Sequence, residues 1–209
     1  HVDYNYKYDC IGDPYTYPGT AILRNKFNIR DSSVLSKVER RITEAKLVLL
    51  QTYQLPRGHY DLKHLQAVHK YLFGDIYDWA GEIRSAGFIS KGQSIFCHSD
   101  FIVPYAQSLF SRMHREDFKG MTTEQCAKRM AFYLSEVNAL HPFREGNGRT
   151  TRLFFDSFAK VNGWDLGIAQ IPHDEFVAAM IESMNSSLER LEDAILKSTP
   201  LSGKAHEIF

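Results

Sequence analysis

A chain of 209 residues with zero formal net charge fits one domain with room for a substantial core. Its hydrophobic (44%) and charged (24%) fractions are those of a globular protein, and the neutral balance excludes a general nucleic-acid or anionic-membrane binder. No apolar run approaches the ~20 residues that span a bilayer, so no membrane partner is expected. Cys10, Cys97 and Cys126 are widely spaced and odd in number, which argues for reduced thiols in a cytoplasmic setting. No signal peptide is visible, and His1 in place of Met reads as a trimmed or processed start.

Residues 1–30 are rich in Tyr, Gly, Pro and Asp. The tyrosines among the first seventeen positions favour an extended arm held by its rings over a disordered one. Asp31 or Ser32 can cap a helix running to about Gln51, with Val34, Leu35, Val38, Ile42, Ala45 and Leu49 on one face. Pro56-Arg57-Gly58 marks a turn, and Asp61 caps a second helix carrying Leu62, Leu65, Val68 and Leu72. His59, His64 and His69 show no ligand spacing and read as surface or satisfied core histidines. The run from Phe73 through Trp79-Ala80-Gly81 to Arg84 is an aromatic cluster of core character. Residues 85–97 read as two short extended pieces about Lys91-Gly92.

Ser99 starts a third helix through Ile102, Tyr105, Leu109 and Met113, ending between Asp117 and Gly120. Thr122 or Thr123 caps a long helix bearing Cys126, Met130, Tyr133, Leu134, Val137 and Leu140, and Thr122 with Gln125 offers a capping box. A helix beginning near Thr150 carries Leu153, Phe154, Phe158 and Val161 and stops at Asn162-Gly163. Pro172 precedes a final long helix reaching from Phe176 to Ile195, and the tail after Ser198 is expected to fray. No repeat, linker or low-complexity block interrupts the chain.

Between the fourth and fifth predicted helices lies His141-Pro142-Phe143-Arg144-Glu145-Gly146-Asn147-Gly148-Arg149, with Arg152 one turn further on. By residue type this is a nucleoside triphosphate site. It supplies a proton acceptor, a carboxylate for a divalent ion, two glycines that let backbone approach a ligand, and two cations. A loop opening into a helix N-terminus turns its N–H groups toward an anion, and the helix dipole favours negative charge. The glycines permit the positive φ that a concave nest of amides requires.

The stretch resembles the signature of the Fic family, His-x-Phe-x-(Asp/Glu)-Gly-Asn-Gly-(Lys/Arg)-x-x-Arg, at His141, Phe143, Glu145, Gly146, Asn147, Gly148, Arg149 and Arg152. The aromatic–Trp79-Ala80-Gly81–x–x–Arg84 run and the leading arm are similar to family segments as well. The resemblance implies an all-α (mainly helical) Fic fold with a short β-hairpin flap over the active site. It divides the chain into an arm (1–30), the Fic domain (31–198) and a tail (199–209). It implies an enzyme moving AMP from ATP to a Ser, Thr or Tyr hydroxyl on another protein.

His141 is then the base, since imidazole suits proton acceptance near neutrality. Glu145 holds Mg²⁺, which favours one or two carboxylates plus phosphates. Asn147 with the Gly146 and Gly148 amides cradles the α-phosphate, and Arg149 and Arg152 clamp the β- and γ-phosphates. Ser90, Lys91, Gly92, Gln93, Ser94, Ile95 and Phe96 form the flap, whose edge pairs with the target segment. Phe143 reads as a core anchor, and Arg144 receives no role.

Many family members carry an inhibitory (Ser/Thr)-x-x-x-Glu-(Gly/Asn) helix, and no such hexamer occurs here. A separate small antitoxin supplying that helix is therefore expected. The arm and flap resemble those of type IV secreted Bartonella effectors, so the target is a host small GTPase or, for a toxin, a bacterial enzyme. The implied location is the bacterial cytoplasm or, after secretion, the host cytosol. Competing readings are a non-catalytic nucleotide- or partner-binding module, a variant moving another phosphate-containing group, and a DNA-binding repressor, which the neutral charge disfavours.

Overall fold

A computed structural model describes residues 8–9, 13–85, 87–201 and 203. Among them lie strand β1 (Tyr8–Asp9), helices α1 (Ser32–Leu49) and α2 (Leu62–Phe73), and the hairpin β2 (Ser90–Lys91) and β3 (Ser94–Ile95). Helices α3 (Ser99–Met113), α4 (Thr123–Leu140), α5 (Asn147–Val161), α6 (His173–Asn185) and α7 (Glu189–Ser198) complete the order. The expected mainly helical architecture with a short hairpin is the one found. Parts of the arm (1–7 and 10–12) and of the tail (202 and 204–209) fall outside the described residues.

Helix α4 forms the axis of the domain and packs against α3, α5, α6 and α7. Its Cys126, Ala127, Met130, Ala131, Leu134 and Val137 are all buried, so apolar residues fall on more than one face of the helix. A helix apolar on several sides belongs inside a bundle. Its start is fixed by the expected capping box, in which Thr122 Oγ1 accepts from the Gln125 N–H and the Gln125 side chain accepts from the Thr122 N–H. Asp31 and Asp61 cap α1 and α2 in the same way, accepting from the N–H groups of Val34 and His64.

The described part of the arm packs on a second cluster of buried residues, where Leu23 meets Leu72, Phe73 and Ile76. Tyr17 is buried, with the Arg30 guanidinium 3.7 Å above its ring. Asp13 Oδ2 accepts from Arg144 Nε at 3.0 Å and Nη2 at 2.5 Å, and both side chains are nearly sealed from solvent. Such a fork of charge-assisted bonds fixes orientation as well as distance.

Three expectations are corrected. The apolar face assigned to α1 is largely exposed: Val34 and Leu49 face solvent and only Leu35 and Thr43 are buried, because α1 packs mainly against α2. The long final helix is two, α6 and α7, broken at 186–188. There Ser187 Oγ accepts from the Glu189 N–H, and such side-chain bonds compete with the helical ladder. The tail docks at least as far as Gly203, which is buried and whose carbonyl accepts from the Asp165 N–H. Because the cap on α4 is exposed and local, Thr122→Ala should lower stability by about 1 kcal/mol. A thermal or denaturant melt reads this directly, and an unchanged midpoint would remove the cap from the account.

Candidate active site

Helix α4 ends at His141, whose φ of 48° and ψ of 64° place it in the left-handed region. A non-glycine residue there is strained and persists only where its surroundings fix it. Three contacts do so. His141 Nδ1 lies 3.0 Å from the Asn138 carbonyl, the ring stacks on Phe96 of the flap at 3.7 Å between centroids, and the His141 carbonyl accepts from Arg84 Nε at 2.6 Å. A carbonyl can only accept, so Nδ1 carries the proton and Nε2 keeps its lone pair. Burial pushes the His141 pKa down to about 3, with the Lys91, Arg84 and Arg144 charges adding to the shift. The ring is neutral throughout the physiological range.

Sequence reasoning placed Arg84 only within an aromatic cluster, yet it holds the site together. Its buried guanidinium donates to the carbonyls of His141, Leu140 (3.1 Å), Gly87 (2.6 Å) and Cys97, which joins the base of the flap to the end of α4. Backbone bonds run parallel to it, from the Arg84 N–H to the Pro142 carbonyl and from the Cys97 N–H to the Ala139 carbonyl, each 2.9 Å. His69 is a second support. Its Nδ1 accepts from the Gly81 N–H at 2.9 Å, so Nε2 is the donor to the Glu145 carbonyl at 2.8 Å, and the ring stacks on buried Phe143 at 4.0 Å. Burial lowers its pKa to about 4. The expectation of a satisfied core histidine fits this position, and His64, bonded to Pro56 and Tyr60, is of the same kind.

Helix α5 begins at Asn147, three residues before the predicted start, so the glycines of the loop belong to its first turn. Gly146 caps it at φ 78° with no side-chain cap. The first N–H groups of the helix therefore have no side-chain acceptor and point toward the cavity that the loop borders. A Cβ on Gly146 would lie 2.4 Å from the Phe73 ring, whereas one on Gly148 would meet only Phe176, at 3.5 Å. Gly146 is demanded by the protein itself; Gly148 is not, and its missing side chain matters only for what the cavity holds.

The cavity measures about 920 Å³ and brings together His141, Glu145, Gly146, Asn147, Gly148, Arg149 and Arg152 with Lys91, Ser94 and Phe96 of the flap. Ser90, Gly92, Gln93 and Ile95 are flap residues outside its lining, and Ile95 is exposed. Asn147 also serves the loop itself. Its Oδ1 accepts from the Phe143 N–H at 2.9 Å and its Nδ2 donates to the Phe143 carbonyl at 2.7 Å, so the side chain closes the loop. Arg149 stacks over Phe73 and donates to Glu39 Oε1 of α1 at 2.6 Å, while Tyr77 donates to the other Glu39 oxygen. Nothing in the amphipathic pattern of α1 signalled Glu39. Arg152 lies 4.6 Å over Phe176 and donates Nη1 to the Ile171 carbonyl, and its buried Nε has no hydrogen-bond partner among the described residues. A buried guanidinium N–H without an acceptor suits a site that receives an anion.

Glu145 is the one motif carboxylate in the cavity, with Oε1 accepting from the Gly146 N–H at 2.9 Å. Among the described residues no group of three or more His, Cys, Asp or Glu side chains could cage a metal. A single carboxylate suits Mg²⁺ shared with substrate phosphates, since that ion keeps waters and few protein ligands.

Two predictions follow from this geometry. Gly146→Ala should cost about 2–4 kcal/mol through strain and overpacking, whereas Gly148→Ala should keep or slightly raise stability and lose ATP binding. Melting curves and calorimetric titration separate the two, and equal stability losses would contradict the assignment. His141 and His69 titrate near 3 and 4 when folded and near 6.5 when unfolded. The unfolded chain therefore binds more protons below about 6.5, so stability is full above that pH and falls as pH drops toward 4. Denaturant midpoints should decline toward acid with a slope approaching two protons, and a flat profile would refute the buried neutral pair.

Comparison with known proteins agrees with this geometry. The Fic/DOC family pattern matches residues 59–159. The chain is 35% identical over 187 residues to a protein of Sinorhizobium fredii, y4lH, named a probable protein adenylyltransferase; the match covers 88% of this chain and 95% of that one. It is 36% identical to the protein adenylyltransferase VbhT of Bartonella schoenbuchensis, covering 85% of this chain but 37% of VbhT. A VirB-translocated effector Fic domain of Bartonella quintana, solved with bound ADP, superposes with a TM-score of 0.79 at 25% identity, covering 89% and 94% of the two chains. No helix among the described residues is long and apolar enough to cross a membrane. The chain belongs to the Fic/DOC family, resembles its Bartonella-effector members, and is an enzyme of the nucleotidyltransferase class.

Proposed function

We propose that this chain transfers AMP from ATP to a Ser, Thr or Tyr hydroxyl of another protein. The observation that carries this reading is His141: a neutral imidazole with Nδ1 committed to a carbonyl, set beside an uncapped helix N-terminus. Its Nε2 accepts the hydroxyl proton as the oxygen bonds to the α-phosphorus and pyrophosphate departs. The N–H groups of Asn147 and Gly148 accept the charge that develops on the α-phosphate, and Arg149 and Arg152 receive the β- and γ-phosphates. Arg152 already has an N–H to offer, and Arg149 exchanges Glu39 for phosphate. Glu145 is the residue that would hold a Mg²⁺ together with substrate phosphates, and such an ion would supply positive charge beside the leaving group.

The target segment adds to the edge of the flap formed by Ser90 to Phe96, where backbone bonds supply affinity without demanding a particular sequence. The ADP in the Bartonella quintana domain supports an adenine nucleotide as ligand, and the relatives named protein adenylyltransferases support a protein target, for which we propose a host small GTPase or a bacterial enzyme. We infer that a separate small antitoxin-like partner supplies the inhibitory (Ser/Thr)-x-x-x-Glu-(Gly/Asn) helix, a pattern this sequence does not contain.

Incubation with α-labelled ATP, Mg²⁺ and bacterial or host lysate tests the reading. Label should appear on protein, fall by about 10²-fold or more in His141→Ala, and vanish on chelation of divalent ions. Label from γ-labelled ATP instead, or none from either, would overturn it.

A further inference from the structure

The backbone of the motif loop is tied to the body of the domain at Pro142, Phe143 and Glu145. The Pro142 carbonyl accepts from the Arg84 N–H, Asn147 holds both the N–H and the carbonyl of Phe143, and His69 donates to the Glu145 carbonyl. Arg144, between them, reaches to the arm instead. Its Nε and Nη2 meet a single carboxylate oxygen, Oδ2 of Asp13, at 3.0 and 2.5 Å. The other oxygen, Oδ1, accepts from the Tyr15 N–H at 3.0 Å, so the carboxylate is itself set at a fixed angle. The two side chains are 5% and 8% exposed. An ion pair sealed this far is a poor source of stability, because desolvating both charges offsets their attraction, but it fixes geometry well.

The arm is a firm support for such a contact. Lys26 donates its N–H to the Ile76 carbonyl at 2.8 Å and its Nζ to the Gly74 carbonyl at 2.6 Å, and Tyr15 meets Trp79 edge-on with ring centroids 5.6 Å apart. Arg144 is thereby referred to the end of α2 and the aromatic cluster that follows it. It stands three residues after His141 and one before Glu145, so whatever holds it sets the spacing between proton acceptor and carboxylate. Arg149 and Arg152 are held differently, because they ride on α5, which buries Phe154, Phe155 and Phe158 in the core.

We propose that Asp13 is a positioning residue for AMP transfer, acting through Arg144 to keep the span from His141 to Glu145 in register with the phosphates. This role rests on the AMP-transfer reading given above, and it makes the arm part of the active site. Neither Asp13 nor Arg144 lines the cavity, so both act through the loop and not on substrate. Their loss should therefore slow turnover while the α5 arginines still bind nucleotide.

The test compares Asp13→Asn, the double variant Asp13→Asn with Arg144→Met, and Lys26→Met, each as the full chain. Label from saturating α-labelled ATP with Mg²⁺ and lysate gives the rate, calorimetry with ATP gives the affinity, and a thermal melt gives the midpoint. Asp13→Asn should label at least about tenfold more slowly, as expected for a reacting group moved by a fraction of an ångström. Its ATP affinity should stay within about threefold of the parent, the mark of an interaction felt in turnover and not in ground-state binding. Asp13→Asn also leaves a buried guanidinium uncompensated and should melt lower, whereas the double variant, with both charges gone, should melt closer to the parent. The double variant should nevertheless label as slowly as Asp13→Asn. Lys26→Met loosens the arm away from the loop and should lower the midpoint without slowing the label.

Labelling that recovers with the midpoint in the double variant would reduce the pair to a structural role and overturn the proposal. So would a parent-like rate in Asp13→Asn, or a loss of ATP affinity as large as the loss of rate. If Asp13→Asn fails to fold, the double variant decides the matter alone. Label in the parent that persists undiminished in the double variant would remove this role and leave AMP transfer standing. Absence of label in the parent would remove both.

Discussion

One guanidinium sets the frame in which everything else operates. Arg84 has two tasks, since it must be buried and it must satisfy carbonyls on both sides of the site. Carrying a charge into a domain interior is costly unless every donor finds an acceptor. Here the acceptors are backbone carbonyls on both sides of the site: Leu140 and His141, at the open end of α4, and Gly87 and Cys97, where the flap leaves the body of the domain. Helix end and hairpin base thus depend on the same side chain, and the flap cannot shift against His141 without breaking bonds in the interior.

The left-handed conformation of His141 follows from this frame. A helix that continued past Leu140 would carry the imidazole round toward the core. The turn to positive φ instead stops the helix and leaves the ring between Asn138 and Phe96. From the other direction, Phe73 enforces the same geometry on Gly146, and Asn147 ties the loop shut at Phe143. The motif is therefore a small folded object, with its strain compensated by α2, α4 and the flap, and its amides left open.

Much of this was legible in the sequence wherever the cause was local. Caps at Asp31, Asp61 and Thr122, the periodicity of α2 and α4, the hairpin about Gly92 and a loop after His141 opening into a helix all follow from residues within a turn or two of one another. The failures have a common origin in distance along the chain. Glu39 meets Arg149 across 110 positions, and Asp13 meets Arg144 across 131, and no periodicity announces either pair. For α1 the apolar stripe was real, but the helix packs mainly against α2 and part of the stripe faces solvent, so the pattern predicted a helix correctly and its environment wrongly. Asn147 shows a subtler limit: its place in the motif suggests contact with a ligand, and nothing in the pattern signalled the two bonds by which its side chain closes the loop at Phe143.

The depth at which His141 lies also limits what it can do uninvited. An imidazole titrating near 3 has little appetite for a proton, and the strength of a general base tracks that appetite. On the AMP-transfer reading proposed above, water entering the cavity would gain little from so weak a base. On the same reading the ring would serve only a hydroxyl whose proton is already leaving as its oxygen closes on phosphorus.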